Sequence, residues 1–266
     1  MPTEVLVETL RERRRSIAWW ALGLVALVAL NVAFYPSVRD SAGFSDYGKD
    51  LPEAARALFA GSEIDFASPA GYLNSQVFAL LAPLLLLIFT IGGGAAAVAG
   101  EEERGTLDLM LAQPLRRRDY VVQRFLALAA LVAVLTVALL ATVALGSPLV
   151  DLHIAFPKLV AASVGGGLLA LLFGSIALAA GAIRPGRARA VSVSSGLAVV
   201  AWLLDGLGQA VAALDPWRPL SPYHQTLGQN PLREGVPWEG WALVALATAV
   251  FVIAAAAGLE RRDVRQ

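Results

Sequence analysis

The chain has no cysteine, only two histidines and two methionines among its 266 residues, and just 16% of its residues are charged. Without cysteine it has no disulfide framework, thiolate metal site or cysteine nucleophile. His153 and His224 lie too far apart in sequence to offer the ligand spacing of a metal centre, so no metal site is expected. Charge of one sign is not in excess either. The 21 basic residues balance 21 acidic ones, which argues against a basic surface for nucleic acid. What is abundant is apolar: 57% of the residues are hydrophobic, in a chain far less charged than the about 25% of ordinary soluble domains. The solvent that suits this composition is a bilayer.

A spanning helix needs about 20 mostly apolar residues. Six such runs are present: Ile17 to Tyr35, Val77 to Ala99, Phe125 to Leu145, Leu159 to Ile183, Ala190 to Leu214, and Trp241 to Leu259. The first follows Arg11, Arg13, Arg14 and Arg15, but it is longer than a signal-peptide core and lacks a clear small-x-small exit, so it reads as a retained span. The expected fold is therefore all-α, one polytopic membrane domain over residues 1–266 with six transmembrane helices. Fourteen basic residues fall on one side of these spans and six on the other, which places both termini in the cytoplasm of a cell-membrane protein. Arg124 stands at the start of the third span, where its stem is expected to snorkel to the headgroups. Trp19, Trp20, Tyr35, Tyr120 and Trp241 fall near span ends, as interfacial aromatics do.

Outside the spans, Thr3 to Arg15 reads as an amphipathic helix along the inner membrane surface, with Leu6, Leu10 and Ile17 opposite its arginines. The two long outer loops are 36–76, with a short helix expected around Leu51 to Gly61, and 215–240. The second holds Pro216, Pro219, Pro222, Pro231 and Pro237 and is expected to pack as turns or short re-entrant pieces.

The cytoplasmic loop from Gly100 to Asp119 is the most organised segment between spans. Thr106 is placed to cap a short helix whose apolar face is Leu107, Met110 and Leu111, and Pro114 ends it. Acids precede that helix and bases follow it, which complements its dipole. At about two turns it is too short to be stable alone, and so it needs something to pack on.

Glu101, Glu103, Arg104, Gly105, Thr106, Leu107, Leu111, Pro114, Arg116 and Arg117 resemble the acidic-x-E-R-G-T-L…L-x-x-P-x-x-R signature of ABC-2 type permeases, the membrane subunits of ABC exporters. The Ser221-Pro222-Tyr223 stretch and the six-span order are also similar, so the resemblance covers essentially the whole chain. One departure is Gln123-Arg124, which stands where the family usually has Gly-Lys. The resemblance implies that the loop docks on two copies of a cytoplasmic ABC ATPase, which hold the ATP and magnesium. It also implies a second permease copy, identical or a sister, a lipid surround, and no catalytic residue or cofactor in this chain. Arg184, Arg187 and Arg189 stand at the family's second cytoplasmic contact, in a turn too short for a full second coupling helix.

Other chemistry is poorly supplied. Gly43 to Lys49 has P-loop spacing, but Asp50 replaces the magnesium-holding Ser or Thr and no buried strand precedes it. Three successive glutamates resemble the acid pair of intramembrane proteases, yet the arginine and histidines such enzymes need are missing. A secondary transporter would show charged or broken helices at mid-membrane. Asp205, with Gln209 one turn on, is the one acid placed within a span: a pathway residue, or a group reaching water at the span's outer end. Asn31, Gln76 and Thr90 are weaker candidates of the same kind. The glycine clusters at 92–94 and 165–167 lie inside apolar spans and read as close-packing surfaces between helices.

Overall fold

The computed structural model describes residues 4–39, 68–107 and 116–262, and all regular structure among them is helical. Six helices are long and apolar enough to cross a membrane: α1 (Val5–Arg39), α2 (Pro69–Glu103), α3 (Arg117–Val150), α4 (Phe156–Ile183), α5 (Arg187–Ala210) and α6 (Trp238–Glu260). They match the six runs in order and overshoot most of their ends. Hydropathy senses only the turns at hydrocarbon depth, whereas the polar flanking turns are themselves good helix formers. α5 alone stops early, at Ala210, because Val211 turns extended and the chain then enters a 3-10 turn, Asp215–Leu220, set by Pro216 and Pro219.

The N-terminal segment departs from expectation. No glycine or proline stands between Thr3 and Ile17, so the segment does not form a separate surface helix: its turns run on into the first span as one helix of about 52 Å. Val5 and Thr9, its buried residues, face the protein and not the bilayer surface. Tyr35 and Tyr120 are likewise turned inward and fully buried, while Trp19 remains outward as expected. The expected helix at 51–61 and the P-loop-like segment at 43–50 lie outside the described residues.

α4 is the axis of the bundle. Its glycines, alanines and serines let neighbours approach closely, and it is the most enclosed of the six helices, whereas α1 and α6 turn most of their apolar windows outward. The closest approach is between α2 and α4, where a Cβ on Gly94 would lie 2.1 Å from the Gly174 carbonyl oxygen. Gly165 meets the Thr226 backbone and Gly167 the Thr136 hydroxyl in the same way, so both glycine clusters pack helices as read from the sequence. The proline-rich segment 215–237 folds as short turns, and its Gln225 carbonyl sits where a Cβ on Gly240 would be.

α2 is not uniform. Two π-turns, Asn74–Phe78 and Ala96–Gly100, interrupt it, and the second ends where the acidic run begins. Such insertions re-aim the residues that follow them. The start of α1, the end of α2, the start of α3, the α4–α5 turn and the end of α6 meet at one end of the bundle.

Candidate functional site

The last turn of α2 ends in a glycine-based cap. Thr106 N–H donates to the Glu101 carbonyl at 3.0 Å and Gly105 N–H to the Glu102 carbonyl at 3.0 Å, with Gly105 at φ 69°. This 6→1 plus 5→2 pair is the Schellman arrangement, which needs a left-handed residue in the glycine's place. It puts Thr106 just past a helix end, and the Thr106 side chain turns back: its hydroxyl lies 2.6 Å from Glu101 Oε2. The amides that Thr106 was expected to cap lie outside the described residues.

Successive residues on a helix point about 100° apart, so Glu101, Glu102 and Glu103 fan out to three different places. Glu101 turns inward. Its Oε1 lies 3.1 Å from Arg124 Nη2 of α3 and 2.8 Å from Arg104 Nη2, and both Glu101 and Arg124 are buried. Arg124 also donates to the Thr9 hydroxyl of α1 (2.9 Å) and, through Nε, to the Tyr120 hydroxyl (3.1 Å), which in turn donates to the Ala97 carbonyl at 3.0 Å. The Thr9 hydroxyl in turn donates to the Val5 carbonyl at 2.6 Å. Each donor in this cluster has an acceptor, the condition under which a buried charge pair is tolerated. Arg124 is therefore held inside the bundle and does not snorkel to the headgroups, because a buried carboxylate satisfies its guanidinium better than an exposed one.

Glu102 reaches Arg262 beyond α6, Oε1 to Nη2 2.5 Å, and Arg262 also donates to the Ala182 carbonyl at the end of α4. Glu103 accepts the main-chain N–H of Arg187, the first residue of α5, at 2.7 Å. Arg117 donates to the carbonyls of Leu259 and Arg262 at the end of α6. One turn of α2 is thus linked to every other spanning helix, directly or through Arg124 or Arg262.

Beside this hub a groove of about 900 Å³ runs between α1, α2 and α5. Its wall is apolar, with Leu84, Ile88, Ile91, Val199 and Trp202, and its charged lining residues are Arg13, Glu103, Arg104 and Arg187. Tyr223, from the proline-rich segment, closes the far end. Burial pushes its hydroxyl well above the usual phenol range, so it presents no charge there.

The family model for ABC-2 family transporter proteins matches residues 5–264. The chain belongs to that family. No curated protein matches the sequence.

In this ABC-2 family membrane protein the expected docking residues that are described do not form one exposed patch. Glu101, Arg104, Gly105 and Thr106 gather in the hub, and Glu103 meets Arg187. Leu107 is buried in its own chain's core beside Val5, Tyr120 and Leu178, so it offers no apolar surface outward. Met110, Leu111 and Pro114 lie outside the described residues. Arg116 is exposed, Arg117 caps α6, and Arg184, in the turn before α5, and Arg189, in the first turn of α5, stay apart from the hub, Arg189 donating to the Pro185 carbonyl at 3.1 Å.

The pathway reading of Asp205 meets a different geometry. Its carboxylate lies 3.5 Å from Arg218 Nη2 and 3.2 Å from His224 Nδ1, so it braces the segment that covers the far end of the bundle. Neither Asp205 nor Gln209 lines the groove, although Gln209 keeps a buried Oε1 without a partner. Asn31 and Thr90 bond carbonyls of their own helices, and Gln76 is exposed.

Sequence reasoning missed Glu102, Arg262, Thr9 and Tyr120, and misplaced Arg124. The available signal was the run of three acids at a helix end, since three directions require three partners. Gly105→Ala forces a side chain into a left-handed turn and is expected to cost about 1–2 kcal/mol. Thermal unfolding of the purified protein should show the midpoint fall, and an unchanged midpoint would mean that the position does not require φ above zero.

Proposed function

We propose that this chain is the non-catalytic permease subunit of an ATP-driven exporter. It pairs with a second permease copy, identical or a sister, and with two copies of a cytoplasmic ATPase that carry the ATP and magnesium. The observation that carries this reading is the fan of Glu101, Glu102 and Glu103, because it joins the loop after α2 to the helices that a transporter has to move. A push on that loop reaches α1 and α3 through Glu101 and Arg124, α4 and α6 through Arg262, and α5 through Glu103. Arginines crowd this end of the bundle, and the positive-inside tendency makes it the cytoplasmic one, with both termini.

The groove between α1, α2 and α5 is the transport path for a hydrophobic or amphipathic molecule, and the second permease closes its open side. ATP binding shifts the pair from inward to outward access. It does so only by favouring one state over the other, and the bias enters at residues 101–118. The Glu103 contact to Arg187 is exposed and bonds a main-chain amide, so it is free to exchange as α2 and α5 move.

The test is co-expression of the full chain with its neighbouring open reading frames, among which a soluble Walker-A protein is expected. A stable complex is expected, and transport by it should drop in Glu103→Lys and Thr106→Pro while both variants still reach the membrane. If no ATPase co-purifies, or both variants transport at the wild-type rate, the reading fails.

A further inference from the structure

Three arginines from three helices line one end of the groove: Arg13 of α1, Arg104 at the end of α2 and Arg187 at the start of α5. Their counter-charges are few. Glu103 is the one acid in the lining, and it spends an oxygen on the Arg187 main-chain amide. Glu101, behind the wall, is shared by Arg104 and Arg124. Four guanidiniums thus face Glu101 and Glu103, with Glu12 acting on Arg13 from its own helix, so positive charge is still in excess.

Arg13 is the group left over. Among the described residues it has no hydrogen-bond or ion-pair partner, and its side chain does not turn to the open end of the bundle. It crosses to α2 and rests against the bare backbone of Gly93, where a Cβ would stand 3.4 Å from its Nη1. Gly93 lies eight residues before Glu101, roughly 12 Å along the helix at 1.5 Å per residue. A guanidinium that far inside an apolar groove is costly without a counter-ion. Above it the wall carries no charge, only residues such as Leu84, Leu87, Ile88, Ile91 and Trp202.

We infer that the groove takes an amphiphile with an anionic head group, a carboxylate, sulfate or phosphate. The head sits on Arg13 between Arg104 and Arg187, and the apolar chain runs along α2 and α5 toward Tyr223. A cationic amphiphile would meet three guanidiniums with its charged end. A neutral one would leave Arg13 uncompensated. The groove's volume, about 900 Å³, is of the size that encloses a single such molecule. This inference rests on the groove being the transport path and names the class of its cargo.

Two pyrene-labelled chains of equal length, one ending in carboxylate and one in trimethylammonium, discriminate the cases. Each is titrated into the full chain in neutral detergent, with energy transfer from Trp20 and Trp202 in the groove wall as the signal. The carboxylate probe should bind at least about tenfold tighter, as charge-assisted bonds to arginine allow. Arg13→Gln should remove most of that preference, Arg13→Lys should keep it, and Arg13→Glu should invert it. Trp20→Phe with Trp202→Phe should lower the signal, leaving the part donated by Trp19, Trp217, Trp238 and Trp241.

Equal binding of the two probes overturns the inference. So does a preference untouched in Arg13→Gln, which would place the anion elsewhere on the protein or in the detergent. The two readings separate cleanly: a complex that keeps its ATPase but shows no head-group preference defeats only this inference. A clear preference in a chain that recruits no ATPase defeats only the permease reading.

Discussion

Arg124→Ala is expected to destabilise the protein by about 3–5 kcal/mol, the usual cost of breaking a buried ion pair from one side. The same Glu101 oxygen has a second partner, Arg104, at a shorter distance, 2.8 Å against 3.1 Å. Distance alone would make Arg104 the more important of the two. Burial reverses that order. The Arg104 side chain is 60% exposed and that of Arg124 5%, so water replaces the first and nothing replaces the second. Arg104→Ala should accordingly cost about 1 kcal/mol or less. Arg124→Ala also strands the Thr9 and Tyr120 hydroxyls, each of which loses a donor. Thermal unfolding in detergent of the two single variants measures the contrast. Pairing Arg124→Met with Glu101→Gln should recover part of the loss, because the double change leaves no lone buried charge. Similar costs for Arg104→Ala and Arg124→Ala would rule out the buried pair as the organising contact.

That pair also marks where sequence reading stops. The six spans were legible because a bilayer demands about 20 apolar residues at each crossing, a constraint local to each run. The packing role of the glycine clusters was legible for the same reason, since small residues inside a span have few other uses. An arginine at a span entrance has two homes, the headgroups or an internal carboxylate, and nothing near Arg124 in sequence chooses between them. Glu101 is 23 residues away and Arg262 lies 160 residues from Glu102, so these partners exist only once the bundle has formed. Thr106 stands at a junction. Gly105 before it closes α2, as the hydrogen bonds show, while Leu107 after it is helical again, so the helix-end and helix-start signals in the sequence apply to successive residues. Asp205 lies near the far end of α5, where it meets Arg218 and His224 of the proline-rich segment, partners that no local pattern around Asp205 announces.

The three glycines at 92–94 turn this distinction between composition and environment into a graded experiment. All three sit in one apolar helix, and in isolation each change to alanine would favour the helix by about 1 kcal/mol. Their surroundings differ. Gly92 has nothing within 4 Å of where a Cβ would stand; Gly93 would meet Leu128 Cδ1 at 2.9 Å; Gly94 would meet the Gly174 carbonyl oxygen at 2.1 Å. Gly92→Ala should therefore be neutral or slightly stabilising. Gly93→Ala asks a flexible leucine end to move a few tenths of an ångström and should cost a modest amount. Gly94→Ala drives a side chain into backbone, and neither α2 nor α4 has a rotamer with which to yield, so the helices must separate along the most enclosed contact of the bundle. Its cost should reach or exceed the upper end of the about 1–3 kcal/mol usual for overpacking, with little monodisperse protein recovered. Size-exclusion profiles of the three variants, expressed side by side, read the gradient. If Gly94→Ala elutes and unfolds like Gly92→Ala, the α2–α4 approach is looser than its geometry states, and with it the rigid body through which the loop after α2 would move the groove.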